Sequence, residues 1–257
     1  MKAAGVLAGI AGVAAIAGVV WFNIAHPPVE VDKDTLCPKA GPVSTTVVLI
    51  DVSDPLTPIA QEDVTNDIND AVESVPKFGL LELRLLDPKT GGGQVLFSRC
   101  NPGDGRNLSE ITANPELERR KFEEGFAGPL HNLLHLAVGS DPSQSSPIME
   151  TIQWIAVKTF APSRQAKERS RLIVVSDMIQ HSDNYSLYKG DLTFERYRHS
   201  PAYQFLRTDL KEVDVTVFFV HRERVVASDN DLLGFWEQWF ADNNGSLIRV
   251  KKIQGTQ

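Results

Sequence analysis

Asp51, Ser53, Asp54 and Thr57 follow in quick succession after the apolar run "VVLI" at 47–50. A second apolar run, "RLIVVS", ends in Asp177. Carboxylates and hydroxyls without a neighbouring His or Cys make a hard-oxygen set, the type that suits Mg²⁺, Mn²⁺ or Ca²⁺. Each residue alone has a plainer explanation. Asp, Ser and Thr beyond a strand commonly cap the next helix, and Asp54 or Thr57 would serve one starting at Pro58. Two strand ends make one site only if the strands are neighbours, so the chemistry depends on the fold.

The elements alternate. "TTVVLI" (45–50) is a short β-branched run read as a fully buried strand, and Ile59, Val64, Ile68, Val72 and Val75 keep helical spacing over 58–75. "LLELRLL" (80–86) leads through "DPKTGGG" to "GGGQVLFS" (91–98), which predicts a hairpin. Residues 115–138 read as two helical pieces broken at Gly128-Pro129, and 147–160 as another helix. "RLIVVSD" (171–177) is a strand, followed by a long polar stretch and a short helix over 201–211. "VDVTVFFV" (213–220) is a strand, "DLLGFWEQWFADN" a helix, and "SLIRV" a last strand, with Lys251-Lys252 as its solvated end. This order predicts an α/β domain: a doubly wound, mostly parallel six-stranded sheet with one antiparallel edge strand. Ligands of such sheets sit beyond the carboxyl ends of the strands, where the strand order reverses. Asp51 and Asp177 would then share a crevice, with Ser145 or Ser146 of "SQSSP" on its rim.

The chain has 257 residues, 42% hydrophobic, and a formal charge of −7, which argues against nucleic acid as a partner. It has no phosphate-binding loop, nucleophile elbow or dinucleotide fingerprint. Residues 3–22 carry no charge and have the length of a transmembrane helix, with Trp21 and Phe22 at an interfacial position. Lys2 puts the N-terminus in the cytoplasm and the rest in the periplasm or outside the cell. A cleaved signal peptide competes, but the run exceeds the ~7–15 residues of its apolar region. The expected division is an anchor at 1–25, a proline-containing stalk at 26–44 and one domain at 45–257. The two cysteines, Cys37 and Cys100, form one disulfide in an oxidising compartment and stay free in a reducing one. His131 and His135 lie four apart on a helix, without a third ligand at a fitting spacing. The polar stretch 178–199 carries His181, Asp183, Tyr185, Tyr188 and Arg196, and long polar loops on a ligand face often serve recognition.

Together these features resemble the von Willebrand factor A-type domain over residues 45–250. That family opens its metal-ion-dependent adhesion site with Asp-x-Ser-x-Ser after the first strand. It adds a Thr from the loop before a later helix and an Asp after the fourth strand. Asp51 and Ser53 match the first two positions, "SSPIMETIQWIA" places Ser146 at the Thr position, and "RLIVVSDM" supplies Asp177. Two positions depart: Pro55 replaces the second Ser, and Met178 follows Asp177 where many members carry Gly. The resemblance implies a Rossmann-like fold and a divalent ion held by Asp51, Ser53, Ser146 and Asp177, with Asp54, Thr57 or Ser145 as substitutes for the missing hydroxyl. It implies an open coordination position for an acidic side chain of a protein partner in the same membrane or envelope. Without the ion, the same face would bind through 178–199. It also implies a Cys37–Cys100 disulfide at the opposite end of the sheet. No catalytic constellation stands out, so the expectation is a binding protein. The alternatives are a metal-dependent phosphoesterase using Asp51, Asp54 and Asp177, or a structural component of a cell-envelope complex with a non-functional metal site.

Overall fold

The computed structural model describes residues 29–51, 53, 56–106, 108, 114–138, 144–162, 168–188, 192–221 and 228–254, with 17, 18 and 21. The expected anchor lies almost wholly outside these residues, as do Asp54 and Pro55. Among the described residues no helix is long and apolar enough to cross a membrane.

All six residues of β1 (Thr45–Ile50) are buried, as a strand covered on both faces must be. It pairs in parallel with β2 (Leu80–Leu85) on one side and β4 (Arg171–Ser176) on the other. β3 (Gln94–Cys100) runs antiparallel to β2 as the predicted hairpin partner. β5 (Asp214–His221) and β6 (Ser246–Gln254) extend the sheet in parallel beyond β4. The order is β3-β2-β1-β4-β5-β6, so the described residues form a six-stranded, mostly parallel α/β sheet with one antiparallel edge. The winding reverses between β1 and β4, the two strands that end near Asp51 and Asp177.

Successive strand residues point to opposite faces, and this alternation divides the core in two. Val47, Leu49, Leu172, Val174, Val215 and Val217 share one apolar cluster, and Val48, Ile50, Ile173, Val175 and Phe218 share the other. α1 (Pro58–Glu73) covers the second face with Ala60, Val64, Ile68 and Val72. Its N-cap is Thr57, whose hydroxyl accepts the Ala60 N–H at 3.2 Å, with Pro58 at the first helical position.

The expected break at Gly128-Pro129 is absent. α2 (Pro115–Phe122) passes through a π-helical turn at Glu123–Ala127 into α3 (Gly128–Val138). Pro129 has no N–H to donate, and in a regular helix its ring would press on the carbonyl four residues back. The wider turn removes that conflict: Gly128 donates to the Glu123 carbonyl, and the Gly125 carbonyl accepts Arg99 Nη1 at 2.6 Å. A β-carbon at Gly128 would stand 2.8 Å from the Glu123 oxygen, so glycine is needed there.

α4 (Ile148–Ile155) ends in a second π-helical turn, Ala156–Phe160. Two short helices follow β4, α5 (Phe194–Arg198) and α6 (Ala202–Leu206), the first of them within the stretch expected to be loop. α7 (Asp229–Asp242) packs Leu232, Phe235, Trp236, Trp239 and Phe240 onto the first face. β6 is longer than "SLIRV" because Lys251 and Lys252 belong to it. Charges are tolerated on an edge strand, and here they are tied to Asp67 at 2.5 Å and Asp229 at 3.1 Å.

The described part of the expected stalk is docked rather than free. Asp32 caps a turn through the Asp34 and Thr35 N–H groups, and those bonds hold its carboxyl below the usual range. Cys100 N–H donates to the Thr35 carbonyl, Val43 N–H to Phe78, and Cys37 is disulfide-bonded to Cys100. The cysteine pair therefore forms one disulfide at the end of the sheet where β1 begins.

The triple glycine 91–93 is a seat for Trp154. A β-carbon at Gly92 would fall 2.2 Å from the indole ring, and the Arg84 guanidinium stands over that ring at 4.9 Å from its centre. Arg84 itself is buried against Glu82 at 2.7 Å and the Gly92 carbonyl at 3.0 Å. Gly92→Ala should displace the ring, at a small cost in stability because Trp154 is exposed and can swing into solvent. A change in tryptophan emission that Trp154→Phe abolishes would register the displacement; unchanged emission would refute this packing.

Candidate functional site

β1 and β4 deliver their last residues side by side. Ile50 pairs with Val175, and the Asp51 N–H donates to the Val175 carbonyl at 2.8 Å, so Asp51 lies opposite Ser176. Its carboxylate is 4% exposed. Oδ2 accepts two hydroxyls, Ser146 at 2.7 Å and Ser176 at 2.8 Å, and Oδ1 accepts the Ser53 N–H at 2.9 Å. Bonds from neutral donors to a carboxylate are stronger than neutral pairs, and a buried carboxylate requires them.

Of the four residues expected to hold an ion, Asp51 and Ser146 are in direct contact. Ser53 is joined through its backbone. Asp177, also buried, is one residue beyond Ser176 and accepts the Ile179 N–H at 3.0 Å. Ser145 turns aside, its hydroxyl donating to the His181 carbonyl at 2.9 Å. Thr57 is occupied as the helix cap described above, and Asp54 lies outside the described residues.

Ser176 was not anticipated. It stands inside the apolar run, and only the register of β4 against β1 reveals that it faces Asp51. Its hydroxyl also accepts the Met178 N–H at 2.8 Å. Met178 has φ of 62°, the left-handed region that favours glycine, and its side chain is fully buried. The backbone after Asp177 therefore takes a glycine-like turn with a methionine in place.

The segment after Met178 is clamped to the rim rather than hanging over it. Ser146 and His181 exchange backbone hydrogen bonds at 2.8 and 2.9 Å. Gln180 is wholly buried: its Oε1 accepts the Met149 N–H at 2.9 Å, capping α4 where Pro147 offers no side-chain acceptor. Glu150 receives Gln180 Nε2 at 2.9 Å, the Ser182 hydroxyl at 2.6 Å and Asn184 Nδ2 at 3.1 Å. No sequence signal pointed to Gln180 or Glu150, because the contact between them spans thirty residues of chain.

Among the expected partner-binding residues, Asp183, Tyr188 and Arg196 are exposed and His181 is half-buried. Tyr188 meets the His181 ring edge-on at 5.2 Å, and His181 Nδ1 lies 3.0 Å from the Ser186 hydroxyl. Tyr185 is a correction. It is 8% exposed and packs edge-on against Tyr197 at 5.0 Å, because a large ring after a polar turn finds apolar cover beneath α7. Tyr197 is deeper still, and burial pushes its phenol up to about 12. An open cavity of about 650 Å³ lies nearby, lined by Thr193, Glu195, Ser228, Asp231 and Gln238 between the starts of α5 and α7.

The Ser146 hydroxyl donates its hydrogen bond to Asp51 and keeps its oxygen lone pairs, while Asp51 and Asp177 both already accept donors from the protein. The expected ligand set rests on two carboxylates. Among the described residues no group of three or more His, Cys, Asp or Glu is placed to hold a metal. No protein-family model matches the sequence, and no curated protein is similar to it.

Proposed function

We propose that this chain is a membrane-anchored recognition module of the von Willebrand factor A type, binding a protein partner at the carboxyl edge of its sheet. The observation that carries this reading is the convergence of the Ser146 and Ser176 hydroxyls on the buried Asp51 carboxylate at the point where strand order reverses. The antiparallel edge strand β3 and the left-handed Met178 following Asp177 agree with the fold of that family. A divalent ion would be held by Asp51, Ser53, Ser146 and Asp177. It would supply a Lewis-acidic position for a partner's carboxylate, while Asp51 orients the hydroxyls. His181, whose backbone pairs with Ser146, Tyr188, whose ring meets His181, and the exposed Asp183 would form the rest of the contact face. The anchor at 3–22 would hold the module at a membrane, with the domain in the periplasm or outside the cell.

Thermal unfolding tests the ion. With Mg²⁺, Mn²⁺ or Ca²⁺ at a hundred times its dissociation constant, the folded state should gain ~2.7 kcal/mol over the chelated protein. Ser146→Ala should abolish that gain, and should itself cost only about 1–2 kcal/mol for the lost hydrogen bond. If no ion shifts the wild-type transition, the metal-dependent form of the proposal fails. Loss of partner capture on Tyr188→Ala in chelator would then identify the metal-free form.

A further inference from the structure

α3 carries His131 and His135 one turn apart on a face turned to solvent. The helix is seated by Leu130, Leu134 and Ala137, which are buried in the apolar cluster beneath it, so the backbone beneath the two rings is held in place. The two Nε2 atoms lie 3.2 Å apart, and the ring planes are nearly perpendicular, at 85°. A metal bound to both nitrogens at ~2.0–2.1 Å would see them at an angle of about 100°, close to tetrahedral. Both rings thus already stand at the bite of a chelate, without a change of backbone.

We propose that His131 and His135 form a surface site for a borderline divalent transition ion of the Zn²⁺, Ni²⁺ or Cu²⁺ type. Two imidazole nitrogens select such ions over Mg²⁺ or Ca²⁺, which take oxygen ligands. The site is therefore chemically distinct from the oxygen set around Asp51. It is also open: two protein ligands leave the remaining positions to water or to a donor from another molecule. A hydrogen bond shared between the two rings is the competing account of the same distance, and the two accounts respond differently to metal.

The test is calorimetric titration of the untagged full-length chain, in mild detergent, with Zn²⁺ and with Ni²⁺. One binding event is expected, unchanged by a large excess of Mg²⁺. His131→Ala and His135→Ala should each weaken it by about tenfold or more, because the second ligand of a chelate acts at high effective concentration. The double variant should abolish it. Neither residue is buried, and alanine favours a helix, so these variants should retain the fold. No heat in the wild type with either ion would overturn the site. Equal binding by the double variant would place the metal elsewhere and overturn it too.

Discussion

Trp236→Ala should destabilise the fold by about 3–5 kcal/mol, the range for emptying a large buried aromatic site. Trp236 is wholly buried on α7 and meets Phe235, Trp239 and Phe240 within 5.3–5.8 Å, so its removal leaves a cavity that its rigid ring neighbours cannot close. The indole does a second task. Its Nε1 donates at 2.6 Å to the carbonyl of Met178, the left-handed residue that follows Asp177. A non-glycine residue in that region costs about 1–2 kcal/mol, and this bond is part of what holds it there. Trp236→Phe separates the two roles. Most of the apolar volume stays, so the loss from the missing N–H should be about 1–2 kcal/mol. The rim should respond more sharply, with Asp177 no longer fixed and the ion-dependent rise in melting temperature reduced. Denaturant midpoints of both variants, with and without divalent ion, give the comparison. If Trp236→Phe keeps the full ion response, the indole supports only the core and not the rim.

The central strands were legible in the sequence because they are buried on both faces and carry apolar runs, "VVLI" in β1, "LIVV" in β4 and "VFFV" in β5. Runs of that type also end abruptly, which is why Asp51 and Asp177 stood out before any strand pairing was known. What escaped notice depends on pairing between distant segments. Ser176 looks like one polar residue in a strand until β4 is set against β1, and Gln180 caps a helix that begins thirty-two residues earlier in the chain. Tyr185 misled for a related reason: polar neighbours suggested a surface loop, but the ring lies under α7, whose position no local pattern reveals. The π-helical passage past Pro129 was hidden because local rules say that proline ends a helix. The relief came from Gly125 and Gly128, and from Arg99 on another strand. The expected set named Ser146 but not Ser176, whose hydroxyl reaches Asp51 from the strand side.

Removing the disulfide, by reductant or by Cys37→Ser, should cost ~4 kcal/mol if the bond is unstrained, since it closes a long loop and restricts the unfolded chain accordingly. The two cysteines are 63 residues apart in sequence, and that loop contains all of β1, α1 and β2. The loss should show as a lower denaturation midpoint in reductant, with Cys37→Ser insensitive to reductant and already at the lower value. It should be local in the folded state. Cys100 sits at the end of β3, beside the start of β2, whereas Asp51 and Ser176 lie at the far ends of their strands. The ion-dependent gain in stability should therefore be the same in the oxidised and reduced proteins, although both reduced transitions fall at lower temperature. The segment 31–38, held otherwise by a few backbone bonds such as Cys100 N–H to Thr35, should lose its hydrogen-exchange protection first. A shift below about 1 kcal/mol would mean that residual structure already confines the reduced unfolded chain, against the loop-closure account. In the folded state the disulfide thus ties the segment before β1 to the end of β3, and leaves the opposite edge of the sheet, with Asp51 and Ser176, unchanged.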